Sequence, residues 1–423
     1  MPSNSFSVFT RCGLLLLAIS QPVHAITLEQ AWQAAKAVDP TYTQAQIQSQ
    51  ISQTEVSNAT SVLRPSLNIT AQTSWNEDGD NQRSYSATLN QTLWDSSAWS
   101  VLDQSQANYV AAQLRAKAEY NSLAARLLTA YLELASVQGD LTLAQEKWHE
   151  GAQLLHVTEQ RYLAGKIRAT ELEDMRANHV DEQASLLAAQ SALATKQYAL
   201  MALINLPIET ISEINTQVSE QPALPFETEQ QWIKLAKDNS PALLASLQEL
   251  TAAQYAYNAA KAKYYPTLSG SVSYQSTDQG RDGDLNAGLT LNVPIDLNGA
   301  TRASVDRAQL TILNNKQAVR KVEIEIQQEI QTRFHQLQLE WQRIEIAQQQ
   351  VLARQTALES KQAVYNAGMT EASEVITAHN ALFNSKHILQ TRLYDYWHHR
   401  IALLKTVGKL DDENIALIAR VLQ

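Results

Sequence analysis

The sequence predicts a mainly α-helical chain with an internal duplication, in which long helical hairpins are combined with four short β-strands that enter a membrane. Three observations predict this fold class. Glycine is scarce, with 12 among 423 residues against roughly 7% in an average protein, and no proline lies in 66–206 or after Pro294. The chain repeats itself once, at an offset of about 200 residues. Each repeat carries two stretches in which apolar and polar side chains alternate strictly, a pattern typical of strands.

Residues 1–25 are expected to be a signal peptide that is removed on export. Arg11 precedes an apolar run at 14–19, and Ala25 ends a short segment typical of a cleavage site. The removed segment contains Cys12, the single cysteine of the chain, so we expect neither disulfides nor a thiolate nucleophile in the mature protein. Because 43 acidic residues outnumber 33 basic ones, the composition argues against nucleic acid as a partner.

The duplication is marked by four anchors that recur in the same order, at offsets of 201 to 203 residues. They pair Pro40 with Pro241, Pro65 with Pro266, Leu89 with Leu291 and Tyr162 with Tyr365. A recurrence of this kind at nearly constant offset indicates two copies of one structural unit. The predicted organisation is a first repeat at 26–206, a connector at 207–231, a second repeat at 232–406 and a tail at 407–423.

The predicted strands cover 66–75, 85–94, 267–276 and 285–295. Each alternates apolar residues with uncharged polar ones over about nine residues, enough to cross a bilayer at a tilt. A polar face suits a water-filled lumen and an apolar face suits lipid. The alternative is an antiparallel sheet of a soluble sandwich. The predicted export favours membrane strands, as does the expectation that four strands cannot bury one face in an otherwise helical chain.

The rest of each repeat is predicted to be long helix. Helix-forming residues dominate 96–206 and 300–407, and the first stretch before Gly165 would reach about 100 Å at 1.5 Å per residue. Its apolar positions are predicted to form a narrow stripe, which is typical of coiled-coil packing: Leu123, Leu127, Ala130, Leu134, Val137 and Leu141. Gly165 and Gly368 are expected to end these helices in the left-handed conformation, before helices that return over 171–206 and 374–407.

Closure of the sheet sets the predicted number of subunits. A sheet edge exposed to lipid is unfavourable, so other copies of the chain must complete the barrel. Two chains would supply eight strands, whose interior side chains fill, whereas three would supply twelve and leave room for water. We therefore expect a homotrimer in which a shared 12-stranded transmembrane β-barrel continues into an α-helical barrel.

The combination of these features resembles the TolC family of outer-membrane efflux proteins. The resemblance rests on the duplication, on the opening segment from Leu28 to Pro40, on the prolines that border the strands, and on the two helix tips. The tips read Arg161-Tyr162-Leu163-Ala164-Gly165 followed by Thr170-Glu171, and Tyr365-Asn366-Ala367-Gly368 followed by Ser373-Glu374. One departure is Thr377, where relatives often carry a second acid.

The resemblance implies a trimeric channel in the outer membrane of a Gram-negative bacterium, with its helical part in the periplasm. Its implied partners are outer-membrane lipid, a periplasmic adaptor protein and an inner-membrane pump, and its implied cargo is drugs, other small molecules or secreted proteins. Family members open and close at the periplasmic helix tips. The predicted channel face consists of Ser, Thr, Asn and Gln, a composition that favours no single class of cargo.

The candidate site residues lie at these tips. Three copies of Glu374 on one axis would form a ring of negative charge that favours cations. Glu171 is its repeat equivalent and is the second candidate for the gate. The alternative is that both are solvated first-turn residues, which a helix dipole favours. The remaining candidates form the tip turns and are expected to contact the adaptor: Gly165, Lys166, Arg168, Thr170, Gly368, Thr370 and Ser373.

No enzymatic site, cofactor or metal centre is predicted. The histidines are scattered, and the pair His398-His399 cannot point in one direction on a helix. The composition of one strand loop is similar to that of a calcium-binding loop, but its acids, Asp278, Asp282 and Asp284, lack the spacing of the calcium ligands. Two functions remain open at this point: a passive export channel, and a soluble periplasmic coiled-coil adaptor or scaffold that never enters lipid.

Overall fold

The computed structural model describes residues 26–75, 81–208, 211, 221–224, 226–277 and 283–422. The predicted signal peptide at 1–25, much of the connector at 207–231 and the loop acids Asp278 and Asp282 lie outside the described residues. Within the described residues, a single order of elements occurs twice. The first repeat has α1 (Leu28–Val38), α2 (Pro40–Ser61), β1 (Ser66–Trp75), β2 (Asn81–Trp94), α3 (Ser96–Leu163) and α4 (Ala169–Ile204).

The second repeat follows with α5 (Glu229–Asn239), α6 (Pro241–Ala262), β3 (Thr267–Thr277), β4 (Asp284–Asn292), α7 (Ala300–Asn366) and α8 (Ala372–Thr406), and α9 (Asp412–Leu422) comes last. α1 and α5, like α2 and α6, begin and end 201 residues apart. The expected fold class, a duplicated chain of long helical hairpins with four strands, is confirmed for the single chain.

The junction between α1 and α2 shows how the sequence sets helix boundaries. Asp39 ends α1, and its carboxylate accepts a hydrogen bond from the Tyr42 N–H at 2.7 Å, while Pro40 occupies the first turn of α2. Such a proline has no N–H to lose there. The Arg126 guanidinium, from α3, donates two hydrogen bonds to the same carboxylate at 3.0 and 3.1 Å. This junction therefore anchors α1 and α2 to α3.

The four strands form one antiparallel sheet in the order β1-β2-β3-β4, so the two repeats meet between β2 and β3. The register places Ile69 opposite Ala87, Ala87 opposite Tyr274 and Tyr274 opposite Leu285. The apolar face predicted for each strand is thus continuous across the sheet. The edge strands β1 and β4 are exposed on both faces, with Ile69 75% and Leu289 74% exposed. No other part of the described chain covers the apolar face.

Two strand boundaries differ from the sequence prediction by more than one residue. β2 begins at Asn81 rather than at residue 85, because backbone pairing with β1 continues through Gln82, Arg83 and Ser84 although the side chains there are polar. β4 ends at Asn292 rather than at residue 295. Pro294 accounts for this end, since proline has no N–H to donate to a strand ladder.

α3 and α7 contain 68 and 67 residues, about 100 Å each at 1.5 Å per residue. α3 packs against α4, and α7 packs against α8, while α8 also contacts α3 and α4 and so joins the two hairpins. Of the helices that the structure describes, none is both long enough and apolar enough to cross a membrane.

The main core lies midway along the long helices, where α1, α5 and α9 pack around them. Trp32 and Trp232, each 1% exposed, are the largest fully buried side chains there. The narrow stripe predicted for α3 is wrong in this region. Leu128, Tyr131 and Leu132 are buried together with Leu127 and Leu134, so α3 is covered on several sides, as in a globular core.

Candidate functional site at the helix tips

The two tip turns have the same backbone geometry. Gly165 and Gly368 have φ of 68° and 76°, the left-handed conformation that glycine adopts without strain. At the first turn the Lys166 N–H bonds to the Arg161 carbonyl at 2.9 Å, and at the second the Met369 N–H bonds to the Val364 carbonyl at 3.1 Å. Each bond satisfies one carbonyl in the last turn of its helix. Both glycines therefore end a helix, as the sequence suggested.

Arg161 links the two hairpins at the tip. Arg161 lies near the end of α3. Its guanidinium donates hydrogen bonds to two carbonyls at the end of α7, that of Tyr365 at 2.5 Å and that of Asn366 at 2.6 Å. It also lies 4.3 Å from the centre of the Tyr365 ring, and the Tyr365 hydroxyl is 3.3 Å from the Thr158 hydroxyl. A cation at a helix C-terminus interacts favourably with the helix dipole. One hairpin thus caps a helix of the other.

Glu171 joins the first turns of the returning helices. One carboxylate oxygen accepts a hydrogen bond from the Ala372 N–H at 3.3 Å, and the other accepts one from the Arg168 N–H at 3.5 Å. One carboxylate thereby serves the N-termini of both α4 and α8, where N–H groups lack helical partners. Arg168 adds an exposed ion pair with Glu371 at 3.3 Å. Glu171 is half-buried in this junction rather than fully solvated.

The Glu374 side chain is exposed and forms an ion pair. Its carboxylate is 2.7 Å from the Lys361 ammonium, which reaches across from α7. The hydrogen bond from Lys361 and the charge of that ammonium lower the pKa of Glu374. The carboxylate is therefore ionised at neutral pH, and its charge is balanced by that of Lys361. A ring built from Glu374 would consist of ion pairs.

The remaining predicted residues, apart from Thr170 and Ser373, line a cleft between the two tips. The cleft measures about 800 Å³, and Arg161, Lys166, Arg168 and Glu171 line it. Lys166, Thr170 and Ser373 are exposed, and Thr370 is half-buried. Met369 next to them is 74% exposed, so the tip offers an apolar contact beside its charges.

Below the turns, a small core separate from the main one holds the hairpins together. Its buried members come from α4, α7 and α8: Met175, Leu358, Tyr365, Ala372, Val375 and Leu382. Burial of a Met, Leu or Val side chain stabilises packing by about 1.5–3 kcal/mol. The tip is therefore a packed junction in which polar contacts are added to an apolar base.

Arg161 and Tyr365 belong to the sequence motifs of the tips, but their contacts were not predicted, and neither Lys361 nor Glu371 was a candidate. The contacts of Arg161 join residues more than 200 positions apart, and the single signal for them was a basic residue in the last turn of α3. Lys361 lies 13 residues before Glu374, a separation that becomes a contact only across a hairpin. In the described part of the chain, no group of three or more His, Cys, Asp and Glu side chains is placed to hold a metal ion.

The model of the outer membrane efflux protein family matches this chain over residues 31–206 and 232–409. The outer membrane protein TolC of Vibrio cholerae is 22% identical over 412 residues, which are 94% of each chain. The alkaline protease secretion protein AprF of Pseudomonas aeruginosa is 21% identical over 350 residues, 79% of this chain and 72% of that one. The crystal structure of the Campylobacter jejuni CmeC outer membrane channel superimposes with a TM-score of 0.76 at 17% identity, covering 100% of this chain and 98% of that one.

Proposed function

The chain belongs to the outer membrane efflux protein family, and on that premise we propose that it is the outer-membrane exit channel of a tripartite efflux or type I secretion system. It conducts drugs, other small molecules or secreted proteins passively, and it catalyses no reaction. Its strands lie in the outer membrane of a Gram-negative bacterium and its helices reach into the periplasm, where an adaptor and an inner-membrane pump dock.

The observation that best supports this proposal is the exposure of the four-stranded sheet. β1 and β4 expose both faces, and the described chain provides no strand partner for their outer edges. A soluble sheet needs its apolar face covered. Here the apolar face carries Leu67, Ile69, Leu285 and Leu289, all more than 60% exposed. Lipid on that face and further copies of the chain at the edges satisfy both requirements. The soluble adaptor alternative leaves both unsatisfied.

The proposed assembly is a homotrimer. Three four-stranded sheets supply twelve strands, enough for a water-filled lumen lined by residues such as Thr70, Thr88 and Asn286. The α3/α4 and α7/α8 hairpins of three chains then continue the tube towards the periplasm. The proposed domain organisation follows: repeats at 26–206 and 232–406, each contributing one strand hairpin and one helical hairpin.

We place the gate at the helix tips. Arg161, Arg168 and Glu171 link the α3/α4 hairpin to the α7/α8 hairpin by hydrogen bonds and an ion pair, so these contacts hold the tip closed and must break before the hairpins separate. Three Lys361–Glu374 pairs around the axis form the proposed charged ring. The exposed turn residues Lys166, Thr170 and Ser373, with Thr370, Met369 and the two turn glycines, form the adaptor surface.

Fractionation and gel mobility test the channel function. The full chain, expressed with its leader, is expected in the outer-membrane fraction, and the unheated protein is expected to migrate on a denaturing gel as a trimer that heating converts to monomer. In planar bilayers the purified trimer should produce discrete conductance steps. Recovery of the protein in the soluble periplasm, without conductance, would support the adaptor alternative instead.

A further inference from the structure

The two repeats contact each other along α3 and α6, which pack side by side. The Ser97 hydroxyl of α3 donates a hydrogen bond to the Ala259 carbonyl of α6 at 3.1 Å, and Arg115 of α3 pairs with Glu249 of α6 at 2.5 Å. We call this contact between α3 and α6 the internal seam. It shows how one repeat of this fold packs against another.

Two faces of α6 are covered, because α6 packs against α7 as well as against α3. The residues on the α3 side recur every three or four positions, and all are buried or half-buried: Ala245, Glu249, Ala252, Ala256 and Ala259. A second covered set is displaced by one position and lies on the α7 side: Ser246, Leu250, Ala253, Tyr257 and Ala260. α6 is thus held between the two longest helices.

Only one of the corresponding faces is covered in α2, the counterpart of α6, which lies 201 residues earlier and packs against α3. The counterparts of the α7-side residues are buried or half-buried: Ala45, Ser49, Ser52, Val56 and Ala59. The counterparts of the α3-side residues are all exposed: Gln44, Gln48, Ile51, Glu55 and Asn58. In the described part of the chain, α2 therefore keeps one face uncovered.

α7 lacks a neighbour on the matching side. The residues of α3 that share the α6 side with Ser97 are buried or half-buried: Gln104, Asn108, Ala111 and Ala118. α7 ends 203 residues after α3, and at that offset the counterparts are all exposed: Ala300, Arg307, Thr311, Asn314 and Lys321. The two uncovered faces, on α2 and on α7, are thus the counterparts of the two faces that form the internal seam.

The order of the strands brings these faces together in the proposed trimer, on which this inference rests. Within one chain β2 pairs with β3, α3 follows β2 and α6 precedes β3. Closure of the barrel pairs β4 of one copy with β1 of the next. Since α7 follows β4 and α2 precedes β1, α7 of one copy lies beside α2 of the next, as α3 lies beside α6.

Charge selects one pair within this contact between copies. In the internal seam, Gln104 and Ala256 lie level with each other, between its hydrogen bond and its ion pair. Their counterparts are Arg307 and Glu55, which are exposed and form no ion pair in the part of the chain that the structure describes. We propose that Arg307 of one copy and Glu55 of the next form an ion pair that sets the register of α7 against α2 between copies.

The ion pair of the internal seam is not repeated between copies. The counterparts of Arg115 and Glu249 are Ala318 and Gln48, which carry no charge. If α7 packed against α6 of another copy instead of α2, Arg307 would face an alanine and would lose its partner. The different positions of the two ion pairs therefore distinguish the correct neighbour from the wrong one.

Cysteine cross-linking tests this contact in the full-length protein in detergent. Cys12, the single cysteine of the sequence, belongs to the predicted signal peptide, so the variants supply the reactive thiols. A short bis-maleimide should join copies of Glu55→Cys/Arg307→Cys into covalent dimers and trimers that survive heating in denaturant. The matched control is Glu55→Cys/Gln309→Cys, which should stay monomeric after heating. Gln309 is exposed at nearly the same height as Arg307, but two residues along a helix place it on the other side of α7.

Charge reversal tests the ion pair itself. Glu55→Arg and Arg307→Glu each place like charges at every contact between copies, so the trimer should dissociate roughly tenfold faster on heating. The double variant Glu55→Arg/Arg307→Glu restores opposite charges and should restore the rate of the unaltered trimer. Arg320→Glu makes the same charge change at an exposed position on the other side of α7, and it should leave the rate unchanged.

An intact trimer whose Glu55→Cys/Arg307→Cys variant forms no covalent dimer or trimer would overturn the proposal. A double charge reversal that dissociates as fast as the single variants would overturn it as well. If the unaltered chain is monomeric before heating, the proposed trimer fails together with this pair. Failure of the ion pair alone is therefore distinguishable from failure of the proposed assembly.

Discussion

Replacement of Arg161 by alanine is expected to open the proposed gate. Arg161 donates to two carbonyls at the end of α7 and lies over the Tyr365 ring. Hydrogen bonds from a charged group contribute about 1.5–3 kcal/mol each, and the half-buried position of this guanidinium favours the lower value. With the ring contact, at about 0.5–1 kcal/mol, the loss is about 3.5–4 kcal/mol per subunit. At about 1.4 kcal/mol per factor of ten, the ratio of closed to open tips falls by roughly 300-fold or more.

Single-channel recording of the trimer in planar bilayers measures this change as a larger mean conductance or a longer open time. Arg161→Lys keeps the charge but loses the bidentate geometry of the guanidinium. Its mean conductance and open time should lie between those of Arg161→Ala and those of the unaltered chain. The matched control is Arg176→Ala. Arg176 pairs with Glu159 and Glu173 within the α3/α4 hairpin, so its loss leaves the link between hairpins intact. If Arg161→Ala conducts as the control does, Arg161 does not hold the tip closed.

Two further predictions concern the charged ring and the α1–α2 junction. Glu374→Gln should weaken block of the channel current by multivalent cations. Lys361→Met should strengthen that block, because the Lys361 ammonium balances the Glu374 charge at 2.7 Å. Unchanged block in both variants would show that Glu374 does not line the pore. Asp39→Asn should lower the melting temperature at neutral pH, through a loss of about 2 kcal/mol. Burial alone would raise the pKa of Asp39, but the hydrogen bonds from Arg126 and the Tyr42 N–H outweigh it, and the pKa is lowered. The contribution of Asp39 is therefore present above about pH 4 and is lost as pH falls through the lowered pKa, so the difference in melting temperature between Asp39→Asn and the unaltered chain should shrink on acidification. A constant difference across that range would assign the effect to packing.

The fold was predictable where its signal is local. Alternation along β1 identifies both faces of the strand, because successive side chains point to opposite sides, and Gly165 marks a helix end because few other residues adopt its backbone conformation. The apolar and polar faces of the sheet follow the predicted alternation even though β2 begins earlier than expected.

The parts that were missed depend on contacts between distant segments. Leu128 and Leu132 are buried in the main core, where α1, α4 and α8 pack against α3, and the spacing along α3 does not contain that information. His379 was one scattered histidine among several in the sequence. It is buried beside Glu150 of α3 and Glu182 of α4, which lie about 200 residues away along the chain. Gly151 was a local sign of this packing, because an interior glycine in a long helix requires a packing reason and a Cβ there would clash with Glu182.

A modified cysteine inside the lumen tests the central claim, that three copies close their sheets around one water-filled conduit. Thr70 lies on the polar face of β1 and Ile69 on its apolar face. In Thr70→Cys, a charged thiol reagent should reduce the conductance of one channel in three discrete steps, one for each subunit. Ile69→Cys should show no such steps. Equal reaction on both faces, or a number of steps other than three, would contradict the account.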